Sequence, residues 1–221
     1  MLKEESVWIK NLLNDHFSVN DFPLLNVGSS TEDFRKNIQP DIHQNVFAPL
    51  LKAERKVFHA DIKDSEGVDL VGDLNQDSFR RELETLSIKS VLCSNLLEHL
   101  ARPEIICKSI LEVLPSGGKL IVTLPYQFPY HKDPIDTMLR PTVDEVHKMF
   151  PGTECVTSAI IKSTDTYLSA LRANKKYHII MIARWLMPFY KYSEWKFMMK
   201  DYFNREKRHS ATCTVLQNNK F

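Results

Sequence analysis

Four short segments each place polar side chains directly behind an apolar run: LLNVGSST at 24–31, HADI at 59–62, VGDL at 71–74 and LCSNLLEHL at 92–100. An apolar run that stops at Gly, Asp, Asn or Ser reads as a buried strand followed by a turn. In an open parallel sheet the ligand-binding edge lies beyond the carboxyl ends of the strands, so all four clusters are expected to project towards one edge. Gly28, behind the first run, lets the backbone turn sharply and approach a ligand closely. A fifth segment, PYQFPYHKDPID at 125–136, is dense in aromatic rings, prolines and titratable groups. Its prolines restrict the chain and suit a wall that must hold a shape. An unperturbed imidazole titrates near neutral pH, so His131 is the candidate general base, with Asp133 or Asp136 to orient it. The opposing reading makes 131–134 a surface turn with no chemistry.

Elements that can carry these groups follow from the hydrophobic pattern. Apolar residues at 7, 8, 9, 12, 13 and 17 predict an amphipathic helix over 6–17, inside an N-terminal helical segment spanning 1–20. Short strands are expected at 22–27, 56–60, 68–71, 89–93 and 119–124, and helices at 77–86 and 103–114. Residues 31–52, interrupted by Pro40 and Pro49, are expected to hold one or two short helices. Pro115-Ser116-Gly117-Gly118 stops the helix before it, and Pro125 stops the strand after it. Alternating strand and helix implies an α/β domain with a mostly parallel sheet, and the runs PLLNV and LIVTL suit strands buried on both faces. Segments 154–161 and 211–216 can pair as antiparallel strands. Between them, a helical insertion over 166–208, rich in aromatic residues and Met, should divide at Pro188. One connection resists this scheme. Only six residues separate Asp61 from Val68, whereas a helical crossover needs a dozen or more. Either that crossover has lost its helix or one strand is misplaced.

Composition narrows the partners. With 29 Lys and Arg against 28 Asp and Glu, the net charge is +1, and no global field draws the chain to nucleic acid. Cys93, Cys107, Cys155 and Cys213 form no CxxC pair and match no zinc module, so no metal is expected and the thiols read as buried in a reducing compartment. The N-terminus carries early acids and lacks an apolar core of the secretory type, and the longest apolar stretch, 178–189, is broken by Arg184. A cytoplasmic location is expected.

Taken together, these segments resemble class I S-adenosylmethionine-dependent methyltransferases of the type 11 group. Residues 25–31 sit where that family has its glycine-rich motif. Asp61 matches the acid ending the second strand, 72–74 the segment beside the adenine, 95–100 the "NVLEH" segment and 115–120 the "kPGG" turn. The resemblance covers about 22–165 and the last strand. It implies a Rossmann-like, seven-stranded, mostly parallel sheet with an antiparallel last strand, in one domain over 1–221. It also implies that Asn26, Gly28, Ser29, Ser30, Asp61, Asp73, Leu74 and Asn95 hold S-adenosylmethionine. In that setting Asp61 would accept the ribose hydroxyls, Asp73 and Leu74 would border the adenine, and the amides of 28–31 would face the methionine end. The family's pattern departs at three positions: Asn26 replaces an acid, and Ser30 and Glu32 replace later glycines.

Loops like 126–136 occur in members of this family associated with surface-glycan assembly, which points to a sugar, glycan or other small acceptor methylated on oxygen. Glu98 and His99 read either as a solvated pair or helix-cap region, or as a site for a base at His99. The basic, aromatic insertion reads as a packed lid, an acceptor cap, a dimer interface or a peripheral membrane contact. A second function class stands beside the enzyme: a methyltransferase-fold scaffold with a lost cofactor site and the insertion as its partner surface.

Overall fold

A computed structural model describes residues 1–131, 135–166, 175–203 and 208–219. Its centre is a seven-stranded sheet: β1 (Leu24–Val27), β2 (Val57–Asp61), β3 (Leu70–Val71), β4 (Ser90–Ser94), β5 (Lys119–Gln127), β6 (Thr153–Thr166) and β7 (Arg208–Asn218), in the order β3-β2-β1-β4-β5-β7-β6. The first five strands pair in parallel, and β7 runs antiparallel between β5 and β6. The strand order therefore reverses at β1 and β4, and the loops leaving these two strands flank that switch.

Burial explains why the central strands read so clearly. All four residues of β1 are buried, and side chains alternate between two cores. Leu25, Val27, Val91, Cys93, Leu120 and Val122 pack on α4 (Asp77–Thr85) and α5 (Pro103–Val113). Leu24, Leu92, Ile121 and Val215 pack instead on α1 (Lys3–His16) and on the helical run that ends in α2 (Pro40–Ile42) and α3 (Ala48–Lys52). That run is interrupted by two π-helical turns, Phe34–Ile38 and His43–Phe47. β6 alternates between partly covered and exposed residues along most of its length, as an edge strand with one solvated face does.

The short link after β2 has indeed lost its helix. β3 keeps only two residues of the 68–71 segment. Asp69 completes the edge from outside the strand: its backbone N–H donates to the carbonyl of His59, and its carboxylate accepts the N–H of His59. A further helix, α6 (Val143–Met149), lies where the sequence pattern indicated no element. Thr142 and Glu145 cap it reciprocally, side chain to backbone in both directions. The insertion between β6 and β7 contains α7 (Lys175–Trp185) and α8 (Tyr192–Phe203), and Pro188 lies in the turn between them. Three of the four cysteines are buried and Cys155 is partly covered; burial pushes the Cys107 thiol up to about 12, so it stays protonated.

Candidate active site

Gly28 leaves β1 with φ at +67°, a conformation that side chains rarely adopt. A Cβ there would lie 2.7 Å from Cδ1 of Leu96, so the Leu96 side chain, from the loop behind β4, packs over this glycine. Asp61 then fixes the turn. Its Oδ2 accepts the N–H of Ser30 at 2.8 Å and its Oδ1 accepts the N–H of Lys63 at 3.1 Å. The carbonyls on the far side of the loop are held by Arg35, which is buried. It donates to the oxygens of Ser29 (2.9 Å), Ser30 (2.6 Å) and Gly67 (2.6 Å), tying the glycine loop to the helix-less crossover. Glu32, a departure from the family's pattern, pairs with Lys36.

These loops open onto a cavity of about 930 Å³, within the range of small-molecule and cofactor sites. Asn26, Gly28, Ser29, Ser30, Asp61, Asp73, Leu74 and Asn95 all line it, and so does His131. Asn26 is buried, and its amide nitrogen contacts Nδ1 of His59 at 3.0 Å. Burial, reinforced by Arg35, lowers the His59 pKa to about 4, so the ring is neutral and accepts this bond. The Asn95 amide donates to Oε1 of Glu5 at 2.6 Å, across ninety residues of chain. Glu5, nearly inaccessible, also accepts the N–H of Leu2 and so couples α1 to the β4 loop. Asp73 accepts the N–H of Asn75, closing its own turn.

On the other side of the cavity, the chain after β5 folds back over the β4 loop. Thr137 donates both its N–H (2.9 Å) and its hydroxyl (3.0 Å) to the carbonyl of Glu98. Asp136 lies beneath, gripped by both terminal nitrogens of Arg140 at 3.1 and 2.6 Å. Burial alone would raise the Asp136 pKa, but Arg140 and the N–H groups of His131 and Met138 hold it below the usual carboxylate range. Nδ1 of His131 lies 3.2 Å from Oδ2 of Asp136, and the imidazole borders the cavity while Asp136 does not. Desolvation lowers the His131 pKa despite that carboxylate, so the ring is neutral at pH 7. Asp133 lies outside the described residues.

Two neighbours of His131 carried no settled role in the sequence. Glu98 is not a solvated residue: it is fully buried, and neither carboxylate oxygen has a hydrogen-bond partner among the described residues. Desolvation raises its pKa to about 7. His99 donates from Nδ1 to the carbonyl of Ile135 at 2.6 Å, and its ring stands perpendicular to that of His131 with centroids 5.1 Å apart. Arg35, Glu5 and Arg140 were also absent from the sequence reading. Their partners are distant in sequence or on a loop, and no local spacing marks them.

No protein-family model matches the sequence, and no curated protein matches it. Solved structures do match. The MccD protein aligns with 96% of this chain and 96% of its own, at 13% identity and a TM-score of 0.57. A putative sarcosine dimethylglycine methyltransferase from Galdieria sulphuraria aligns over 98% and 85%, at 11% identity and 0.53. A putative methyltransferase from Bacillus halodurans aligns over 89% and 92%, at 13% identity and 0.51. The chain has the fold of the class I methyltransferases, with the mostly parallel seven-stranded sheet and antiparallel last strand that the sequence led us to expect.

Proposed function

We propose that this protein is an S-adenosylmethionine-dependent methyltransferase acting on a hydroxyl of a small acceptor, a sugar or glycan being the favoured class. The observation that carries the proposal is the single cavity that joins the glycine loop and Asp61 to His131. The cofactor fits the residues present. Gly28 makes the left-handed turn at the cavity wall, and Ser30 borders the cavity rather than filling it. Asp61 uses one direction on each oxygen and keeps further acceptor positions for a vicinal diol. When bound, S-adenosylmethionine supplies an activated methyl group that needs alignment more than further activation.

On this reading Asp61 binds the ribose, Asp73 and Leu74 flank the adenine, and Gly28, Ser29 and Ser30, with Asn26 and Asn95, enclose the amino-acid end. His131 takes the acceptor proton. Its Nδ1 is turned to Asp136 and to the carbonyl of Pro129, which leaves Nε2 as the basic atom. Arg140 and Asp136 position the ring. Asp133 keeps its proposed orienting role from the sequence alone. The aromatic loop, with Phe128 in the cavity wall, suits the apolar face of a sugar ring.

No helix of the described residues is long and apolar enough to cross a membrane. The insertion exposes Ile179, Ile182, Trp185, Leu186 and Phe189 beside basic residues, and we assign to it a surface contact, with a membrane or a second copy. A scaffold whose cofactor site is lost would have Ser30 or Glu32 occupying the cofactor volume; the open cavity, with Ser30 on its wall, argues against it. Calorimetric titration with S-adenosylhomocysteine tests the proposal. Saturable micromolar binding is expected, and heat no greater than dilution at millimolar ligand refutes it.

A further inference from the structure

Glu98 poses a physical problem. A carboxylate taken fully out of water is costly unless it is paired or coordinates a metal, yet neither of its oxygens has a hydrogen-bond partner among the described residues. Two imidazoles stand next to it. One ligand-capable atom each from Glu98, His99 and His131 falls within 4.8 Å of the other two. The sequence expectation of no metal rested on cysteine spacing. This cluster comes from residues 98, 99 and 131, which only the fold brings together.

We propose that Glu98, His99 and His131 form a binding site for a divalent first-row transition cation at the acceptor end of the cavity. Three features support it. The donor set, one carboxylate oxygen and two imidazole nitrogens, suits manganese, iron, cobalt or zinc better than magnesium or calcium. Each imidazole has its Nδ1 on an oxygen: His99 on the carbonyl of Ile135, and His131 facing the carbonyl of Pro129 and the carboxylate of Asp136. Such partners fix the tautomer and leave the Nε2 lone pair for a cation, as they do in established metal sites. Nε2 of His99 lies 3.8 Å from Oε1 of Glu98. A cation about 2.1 Å from each ligand holds them roughly 3 Å apart, so small side-chain rotations close the site. Finally, all three residues line the cavity, which leaves the remaining coordination positions open to an acceptor oxygen.

The inference rests on the methyltransferase reading and refines it at one point. With a cation bound, Nε2 of His131 is a ligand. The acceptor hydroxyl then becomes acidic through coordination and loses its proton to solvent instead of to the imidazole.

The test uses full-length, untagged protein stripped with a chelator and titrated with cobalt(II) and zinc(II) chloride, by calorimetry and by visible absorption of the cobalt form. One-to-one uptake is expected, weakened about tenfold or more in Glu98→Gln and in His99→Asn. Both variants should still bind S-adenosylhomocysteine, which shows that they are folded. Wild-type protein that binds S-adenosylhomocysteine but takes up neither cation overturns the inference alone, as do variants that bind cobalt as tightly as wild type. Cobalt uptake by protein that does not bind S-adenosylhomocysteine supports the cation site and overturns the cofactor reading.

Discussion

Replacing Asp61 by alanine separates a structural role from a binding role. In the folded protein the carboxylate accepts the N–H groups of Ser30 and Lys63. A carboxylate offers about four acceptor positions, so about two remain for the ribose hydroxyls. Hydrogen bonds to a charged group contribute about 1.5–3 kcal/mol each. Losing both, with the ligand hydroxyls returned to water and the Ser30 loop less firmly held, should cost about 2–4 kcal/mol of binding. At about 1.4 kcal/mol per tenfold, S-adenosylhomocysteine should bind roughly 30- to 1000-fold more weakly. Folding should suffer less, about 1–2 kcal/mol, because the freed Ser30 N–H borders a cavity that water can enter. Asp61→Asn keeps one acceptor oxygen and should fall between. Asp73→Ala, which gives up a bond within its own turn, should change affinity less than about fivefold. Calorimetry gives the affinities and urea unfolding the stabilities. An Asp61→Ala protein that binds within threefold of a binding wild type would falsify the placement of the ribose.

Gly28→Ala forces a side chain into a left-handed backbone and makes the terminal methyls of Leu96 give way, which should cost about 1–2 kcal/mol; an unchanged urea midpoint would contradict this. His59 has a folded pKa of about 4 against 6.5 when unfolded, so the unfolded chain binds more protons between those values. Stability should therefore fall as pH drops through 6.5, by up to about 3 kcal/mol once below 4. His59→Gln should flatten that part of the stability–pH curve, and parallel curves for variant and wild type would show that the ring is not held neutral. Arg140→Met leaves Asp136, whose side chain is fully buried, without its guanidinium; a loss of about 3 kcal/mol is expected, with faster proteolysis within 126–140, and an unshifted melting temperature would count against it.

The sequence was most legible where burial is strongest. β1, β4 and β5 are covered on both faces and appear as mostly apolar runs, while edge strand β6 appears as alternation. α6 has seven residues and buries only Val146, too little for a hydrophobic period, although its capping pair Thr142 and Glu145 was there to be seen. The run through 34–52 changes pitch at two π-helical turns, which blurs any 3.6-residue spacing. Within the site, residues behind strand ends could be named because topology alone carries them to one edge. Glu98 could not be assigned, because the burial of its carboxylate is a tertiary property with no local pattern; a residue as far along as Thr137 hydrogen-bonds its carbonyl. Arg35 bridges the nearby glycine loop to Gly67, 32 residues on, and Glu5 reaches Asn95, 90 residues away, links beyond the reach of local pattern.

On the proposed reading, the ends of successive parallel strands form one cleft for an adenosyl group. A crystal structure of the protein grown with saturating S-adenosylhomocysteine tests it most directly. Density is expected to run from Gly28 past Asp61, with the ribose on that carboxylate and the sulfur end towards His131. An empty cleft at saturating ligand, or density elsewhere on the molecule, would contradict it.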